Sequence, residues 1–209
     1  MSSRRKFIRQ SVQASAGIYL GTMGFSAASY ARIIGSNDRV NVGVVGFSDR
    51  FRGSHLPCFM THYKELNFDM VAVSDIWKMR REDGAAQLKA KFGHDIKACR
   101  NNDELYAMKD IDAVMISTAD FQHALHTIEA VKAGRDTYTE KPFAETMDDN
   151  NAALKAVKES GRIVQIGSQR RSGANYQAAA NYVQQGKFGD ITMVELTWNV
   201  NQPGRWRRP

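Results

Sequence analysis

Short apolar runs alternate with longer amphipathic segments over most of the chain. The runs are rich in β-branched residues and have the length of strands, whereas the longer segments carry apolar residues at helical spacing. The predicted strands cover 39–46, 69–75, a weak segment near Ile96, 112–118, 136–140 and 162–167. The predicted helices cover 53–66, 78–93, 102–108, 120–134 and 146–161. This alternation predicts an α/β fold with a doubly wound parallel sheet covered by helices on both faces.

The pattern changes after Gly167. Residues 175–186 predict one more helix, and residues 191–201 alternate between polar and apolar positions over a longer stretch. A single apolar face is typical of a strand in an antiparallel sheet. We therefore expect a parallel α/β domain over 36–167 and the beginning of an incomplete second α/β domain over 168–209. On this interpretation the chain is part of a longer protein.

The first 31 residues differ from the rest in charge and composition. Four basic residues, which include the pair Arg4–Arg5, precede a modest apolar stretch that ends in the small-residue pattern "SYA" at 29–31. This arrangement is typical of a cleaved twin-arginine export signal. A membrane anchor is the alternative, but a spanning helix needs about 20 strongly apolar residues. We expect an exported, periplasmic protein that is a partner of the twin-arginine translocation machinery.

The net charge does not indicate a nucleic-acid partner. The formal charge is +7, but without the four basic residues of the leader it falls to +3, and no long basic stripe follows. Cys58 and Cys99 provide neither a metal-ligand spacing nor a disulfide framework, so we expect two unrelated, mostly buried thiols and no metal site.

The segment "VVGFSDRFRG" at 44–53 follows the first predicted strand. A phosphate-binding turn there has the pattern GxGxxG, whose backbone N–H groups approach a pyrophosphate. Here glycine occupies only the first position, serine the second and Phe51 the third. An aromatic ring at the third position is expected to push the following helix away from the sheet. The candidate cofactor-binding residues of this turn are Gly46, Phe47, Ser48, Asp49 and Arg50.

Asp75 ends the second predicted strand, 29 residues after Gly46. A carboxylate in this position can bind the adenosine ribose of NAD. Arg80 and Arg81 follow it and could accept the 2′-phosphate of NADP instead, although a solvated role is the alternative. The predicted cofactor is therefore NAD or NADP, with NAD favoured.

The segment "YTEKPFA" at 138–144 follows a strand at the carboxyl edge of the predicted sheet, where ligands bind in open α/β folds. Lys141 can act there as a general acid or hold a substrate hydroxyl, and Glu140 could orient its ammonium. Considered alone, the segment is better interpreted as a surface turn. Ser117, Thr118 and His123 stand near the start of a predicted helix at the same edge.

Together these segments resemble the Gfo/Idh/MocA family of NAD(P)-dependent oxidoreductases, named after glucose–fructose oxidoreductase, inositol dehydrogenase and a rhizopine catabolism protein. The matching segments are "VGVVG", "VAVSDIW", "AVMISTADFQHALHTIEAVKAGRDTYTEKPFA", "VQIGSQRRS" and "GKFGDITMVELTWN". The resemblance extends over about residues 36–209, and "EKP" at 140–142 is a specific part of it. It implies a Rossmann domain followed by an α/β domain with a mostly antiparallel sheet. It also implies hydride transfer between nicotinamide and a sugar or cyclitol carbon, and a homo-oligomer in the full-length form.

The resemblance assigns roles to individual residues. Lys141 matches the family lysine that binds and polarises the substrate, so it is the predicted catalytic residue. His123 matches the histidine of the usual "TPxxxH" stretch, although Ala119 replaces its proline. Gln169 belongs to a segment that often lies near the cofactor and the substrate.

Two departures from the family pattern qualify these expectations. The glycine-rich turn is altered, and replacing Ser48 and Phe51 by glycine together is expected to tighten NAD binding. The later aspartate and histidine of the family's active site are absent, so this chain alone is expected to be inactive. Two alternatives remain open at this point: an NAD-dependent glycosidase of the same superfamily and a non-catalytic, ligand-binding relative.

Overall fold

A computed structural model describes residues 39–197, so the predicted leader lies outside the described residues. The chain divides into two compact units, one ending at Gln165 and one beginning at Ile166. No helix within residues 39–197 is both long enough and apolar enough to cross a membrane.

The fold is built on a parallel sheet with the strand order β3-β2-β1-β4-β5-β6. The strands are β1 (Val40–Val45), β2 (Phe68–Ser74), β3 (Lys97–Cys99), β4 (Ala113–Ile116), β5 (Asp136–Glu140) and β6 (Val164–Gly167). β1 pairs in parallel with β2 on one side and with β4 on the other, so the strand order reverses at β1. In open sheets of this kind, ligands bind beyond the carboxyl ends of the strands at such a reversal. The predicted α/β fold with a parallel sheet is confirmed.

Helices follow these strands at the positions that the apolar spacing predicts. They are α1 (Leu56–His62), α2 (Lys78–Phe92), α3 (Asn102–Tyr106), α4 (His123–Lys132), α5 (Met147–Ser160) and α6 (Ala174–Gln184). A π-helical turn, Phe51–His55, precedes α1, and a 3₁₀ turn, Asp120–Gln122, precedes α4. The predicted cap of α5 is present, because Thr146 Oγ1 accepts a hydrogen bond of 3.1 Å from the N–H of Asp149.

The core lies on both faces of the sheet. Successive residues of a strand point to opposite faces, and Val44 and Val45 of β1 belong to two different buried clusters. Val44 packs with residues of the π-helical turn and α2, whereas Val45 packs with residues of α3 and α4. Burial on both faces explains why the strand segments are continuously apolar. Both cysteines are free, and Cys99 is buried as expected, but Cys58 is exposed.

The second unit contains α6 among its described residues. Residues 191–197 form no strand, which differs from the strand expected over 191–201, and residues 198–201 lie outside the described residues. In the described part, Ile191, Met193, Val194 and Leu196 are exposed. A segment with one apolar face forms a strand only when a neighbouring strand pairs with its backbone N–H and C=O groups. Residues 168–197 contain no strand that could pair with it.

Candidate active-site cleft

A cleft of about 630 Å³ opens at the carboxyl edge of the sheet in the first unit. Its walls come from the segments that follow β1, β2, β3 and β4, together with the first turns of α4. Ligand pockets typically measure about 300–1,000 Å³. The cleft therefore has the size and the position of a nucleotide site. Of the residues predicted to bind cofactor, it is lined by Gly46, Ser48, Asp49, Arg50, Asp75, Ser117 and Thr118.

Gly46 turns the chain sharply at the end of β1. Its φ is +86°, a backbone conformation that residues with a side chain rarely adopt. A Cβ at this position would lie 2.8 Å from Thr118 Cγ2. The added Cβ would also lie 3.0 Å from the Ser117 carbonyl oxygen. Only glycine leaves the space that the turn needs beside the segment after β4. The remaining glycine of the phosphate-binding pattern therefore stands where that pattern requires one.

Ser48 caps the helical segment that follows the turn. Its Oγ accepts the Phe51 N–H at 3.1 Å and donates to Ser117 Oγ at 3.3 Å. Ser117 Oγ in turn donates to the Gly46 carbonyl at 2.9 Å. The serine that replaces the second glycine thus connects the turn after β1 to the segment after β4.

Phe51 is fully buried, so its ring does not hold the helix away from the sheet as expected. The segment Phe51–His55 is π-helical, and the N–H of Leu56 bonds the carbonyl of Phe51, five residues earlier. The hydrogen-bonded loop of a π-turn contains one more residue than that of an α-helix, and such turns are frequent at functional sites. The Phe51 ring packs 5.4 Å from the ring of Phe47 within the core.

Phe47 does not line the cleft with its side chain. The ring is completely buried against α2, where a Cβ on Gly84 would lie only 2.8 Å from Phe47 Cγ. At this contact α2 therefore provides the small residue, Gly84, and the turn after β1 provides the ring of Phe47. The backbone of Phe47 remains part of the site, because its N–H donates to Asp75 Oδ2 at 2.9 Å.

Asp75 lies at the end of β2 and lines the cleft, as the ribose prediction requires. Its Oδ1 accepts the Trp77 N–H at 2.8 Å, so two backbone N–H groups fix the carboxylate. Each carboxylate oxygen has two lone pairs and can accept a further hydrogen bond. Asp75 is thus held in place and still able to accept from ribose hydroxyls.

Charged side chains beside the turn are paired with each other. Asp49 forms ion pairs with Arg52 and, at 3.2 Å, with Arg80. Arg80 also donates to the Phe47 carbonyl at 3.1 Å, and Arg81 donates to the Asp75 carbonyl at 2.7 Å. Both arginines proposed for a 2′-phosphate therefore have partners that hold the segments after β1 and β2 together.

Glu140, at the end of β5, is buried and connects to the π-helical turn. Its Oε1 accepts from Arg50 Nε at 2.9 Å and lies 2.8 Å from His55 Nε2. Burial lowers the pKa of His55 below its usual value, and Glu140 opposes this shift only in part. Burial and the neighbouring Glu140 raise the pKa of Tyr138. Sequence reasoning did not identify His55 as part of this group.

Lys141 is exposed and follows Glu140 at the carboxyl edge of the sheet. Its N–H donates to Glu140 Oε2 at 3.0 Å, and the Lys141–Pro142 peptide bond is cis. His123 is almost completely buried, with Nδ1 2.7 Å from the Pro142 carbonyl, to which it donates. Lys141, Glu140 and His123 were predicted to bind the cofactor, but none of the three lines the cleft. The His123 contact fixes the turn that carries Lys141 against α4.

The cleft is also lined by polar residues that sequence reasoning did not assign to the cofactor, among them Asn102 on α3, and His126 and Glu129 on α4. His126 and Glu129 are three residues apart on a helix and therefore share one face. That spacing could have drawn attention to the pair. Asn102 offers no comparable signal, because only the fold places it beside them.

Two further predictions concern other parts of the chain. Gln169 belongs to the second unit and is exposed, and its role in cofactor binding stays a prediction. Within residues 39–197, no group of three or more His, Cys, Asp or Glu side chains could hold a metal ion.

Residues 40–168 match the Gfo/Idh/MocA oxidoreductase family, described as having an NAD-binding Rossmann fold. An inositol 2-dehydrogenase/D-chiro-inositol 3-dehydrogenase from Shouchella clausii is 29% identical over 160 residues, which are 74% of this chain and 43% of that relative. The WlbA dehydrogenase from Bordetella pertussis, solved with NADH and UDP-GlcNAcA, is similar with a TM-score of 0.63 and 24% identity over 72% of this chain and 43% of that one.

A third similar structure is KijD10, a 3-ketoreductase from Actinomadura kijaniata solved with NADP and TDP-benzene. Its TM-score is 0.60 with 20% identity, over 71% of this chain and 43% of that one. At these identities the two solved structures show the fold, and the chain spans less than half the length of the relatives it matches. The match over 40–168, on a sheet that reverses its strand order at a glycine turn, shows that this chain belongs to the Gfo/Idh/MocA family of oxidoreductases with an NAD-binding Rossmann fold.

Proposed function

We propose that this chain is the cofactor-binding part of an NAD(P)-dependent oxidoreductase that transfers a hydride to or from a sugar or cyclitol. The observation that carries the proposal is the cleft between the Gly46 turn and Asp75, at the reversal of strand order. The similarity to an inositol dehydrogenase supports a polyol substrate. A bound nicotinamide would supply or accept the hydride.

Residues at the ends of different strands would have different roles. The turn after β1 would hold the pyrophosphate, since a helical segment begins there and its N–H groups favour an anion. Asp75 would accept from the adenosine ribose. Lys141, an exposed ammonium at the end of β5, would hold or polarise the reacting oxygen of the substrate.

We further propose NAD as the preferred cofactor. The ribose of NAD carries two free hydroxyls, and the Asp75 carboxylate favours them over a 2′-phosphate because it would repel that charge. The two nearby arginines are already bonded to Asp49 and to backbone carbonyls of the site. A 2′-phosphate would have to compete with these partners.

Isothermal titration of the chain with NAD and NADP tests the proposal. We expect binding of NAD in the micromolar to low millimolar range and weaker binding of NADP. Gly46→Ala is the informative variant, because the added Cβ collides with Thr118 and should abolish binding. Gly93→Ala is the matched control, since Gly93 also has a positive φ but no atom lies within 4 Å of its Cβ position. Failure of the wild-type chain to bind either dinucleotide would refute the proposal.

Export through the twin-arginine pathway is a separate proposal, which rests on the Arg4–Arg5 pair and the segment behind it. Replacing both arginines by lysine keeps the charge but removes the recognised pair. We expect the variant to stay in the cytoplasm of a bacterial host and the wild type to reach the periplasm. Cell fractionation and immunoblotting measure this, and equal export of both forms would contradict the proposal.

A further inference from the structure

The Glu140 carboxylate has two basic neighbours on one of its oxygens. Arg50 Nε donates to Oε1 at 2.9 Å, and His55 Nε2 lies 2.8 Å from the same atom. Oε2 accepts the Lys141 N–H at 3.0 Å. Glu140 is only 3% exposed and His55 only 8%, so solvent contributes little to the balance of charge there. The backbone of Lys141 is therefore held by a carboxylate whose charge neighbouring side chains have to compensate.

Arg50 is the member of this group that reaches the cleft. It lines the cleft, and its side chain is 40% exposed. Its Nη1 donates to Ser54 Oγ at 2.9 Å, which keeps the guanidinium beside the helical segment after β1. The diphosphate of a dinucleotide is expected at the start of that segment, and guanidinium groups bind phosphate oxygens strongly. Arg50 thus stands between two anions, the Glu140 carboxylate and the diphosphate of the proposed cofactor.

His55 is the second basic neighbour of the carboxylate and does not line the cleft. Within residues 39–197, the charged side chains that act on its imidazole are Glu140 from β5 and Arg50 from its own segment. Tyr138 of β5 packs its ring 5.5 Å from the imidazole and stays neutral, since burial and Glu140 raise its pKa. Burial lowers the pKa of His55, Glu140 opposes this shift in part, and the Arg50 charge adds to it. The imidazole is therefore neutral near pH 7.

A bound diphosphate would change two of these influences in the same direction. It attracts the Arg50 guanidinium, which reduces the repulsion between Arg50 and a protonated His55, and it adds negative charge nearby. Both changes favour the protonated imidazole. A protonated imidazole forms a charge-assisted interaction with the Glu140 oxygen 2.8 Å away, in place of the interaction that Arg50 gives up. The anion and the proton therefore favour each other's binding.

We propose that His55 is a positioning residue: when the cofactor diphosphate draws Arg50, His55 takes up a proton from solvent and holds Glu140, and with it the Lys141 backbone, in place. This inference rests on the proposed function. It predicts that the diphosphate binds with net uptake of a proton. Because the protonated form binds the anion more tightly, the affinity should rise as the pH falls.

Isothermal titration of the chain with ADP-ribose tests the proposal. ADP-ribose has the adenosine diphosphate part of NAD without the positive charge of nicotinamide. Titrations between about pH 5 and pH 8, each in two buffers of different ionisation enthalpy, give the number of protons taken up. We expect about 0.3–0.5 proton at the pH of largest uptake, since a pKa shift of about one unit changes the protonation of a site by no more than about half a proton. The uptake should become small towards about pH 8.

Three variants locate the proton. His55→Gln should abolish the uptake while ADP-ribose still binds, because the amide can bond to Glu140 without titrating. His62→Gln is the matched control: it makes the same chemical change at the exposed end of α1 and should keep the uptake. His126→Gln removes a histidine that lines the cleft, and it should keep the uptake as well.

Binding of ADP-ribose by the wild-type chain without proton uptake would overturn this inference and leave the proposed function intact. Uptake that persists in His55→Gln, or that is lost in either of the other two variants, would overturn it as well. Binding of neither ADP-ribose nor NAD would refute the proposed function and this inference with it. If His55→Gln does not fold, NMR titration of the wild-type imidazoles decides. One histidine that is still present in both other variants should titrate at higher pH with ADP-ribose, and unchanged titration of all of them would overturn the inference.

Discussion

Nε2 of His55 lies 2.8 Å from Oε1 of Glu140, so a buried histidine of the π-helical turn contacts the buried carboxylate at the end of β5. Arg50 donates to the same oxygen, and the N–H of Lys141 bonds the other one. One carboxylate therefore connects the turn after β1 with the segment that carries the proposed substrate lysine. The strand order places β4 between these two segments.

Removal of the Glu140 carboxylate should destabilise the protein. Glu140→Ala removes the acceptor of Arg50 Nε and of the Lys141 N–H. Loss of one partner of a fully buried ion pair costs about 3–5 kcal/mol, but because Arg50 is partly exposed we expect a loss of about 2–3 kcal/mol in the free energy of unfolding. Urea denaturation measures the change. Glu145→Ala, an exposed position on the same segment, should change stability by less than about 0.5 kcal/mol.

The stability of the protein should depend on the protonation of His55. Burial lowers its pKa in the folded state below the value in the unfolded chain. The unfolded state therefore binds the proton more readily, and the contribution of the neutral histidine is present above about pH 6.5. It is lost as the pH falls below this value and through the folded-state pKa. The free energy of unfolding should thus fall more steeply with acidification in the wild type than in His55→Gln.

Urea denaturation of both proteins between about pH 5 and pH 8 checks this dependence, since histidine is the side chain that titrates in this window. The variant keeps an amide that can bond to Glu140, so it removes the titration with a limited change in packing. Parallel pH profiles of the two proteins would show that His55 does not contribute.

The contact of α2 with Phe47 should make Gly84 sensitive to the smallest substitution. Alanine normally stabilises the interior of a helix by about 1 kcal/mol relative to glycine. At Gly84 the added Cβ would lie 2.8 Å from Phe47 Cγ, and overpacking a buried site costs about 1–3 kcal/mol. We therefore expect Gly84→Ala to lower the melting temperature. Gly53→Ala should leave it unchanged or raise it, because no atom lies within 4 Å of its Cβ position.

The burial of Phe51 changes the expected effect of restoring the glycine pattern. Phe51→Gly would remove a completely buried ring and should cost about 3–5 kcal/mol or more, so the double replacement would unfold the site before it could improve it. Ser48→Gly alone removes the cap, for which glycine costs a few tenths of a kcal/mol, and the 3.3 Å hydrogen bond to Ser117 Oγ. It also releases the Phe51 N–H for a phosphate oxygen. We expect Ser48→Gly to remain folded and to bind NAD at least as tightly as the wild type. A weaker affinity in calorimetry would show that Ser48 itself contacts the cofactor.

The local sequence determined the succession of elements. β-branched runs produced strands wherever they were predicted in the first unit, and β5 has the predicted bounds. Thr146 capped α5 because its side chain accepts a hydrogen bond from a backbone N–H only three residues away. Such interactions act over a few residues, and for that reason the sequence alone could specify them. The position of Gly46 and Asp75 at the strand ends also followed from the order of the runs.

The tertiary structure decided the contacts between distant segments. Phe51 was expected to oppose the packing of the helix, but the π-helical turn and the small residue Gly84 on α2 let the two phenylalanine rings enter the core. Glu140 met Arg50 and His55, and Asn102 met His126, because a parallel sheet collects the carboxyl ends of its strands at one edge. These pairings depend on where backbone turns place side chains, which no local pattern encodes.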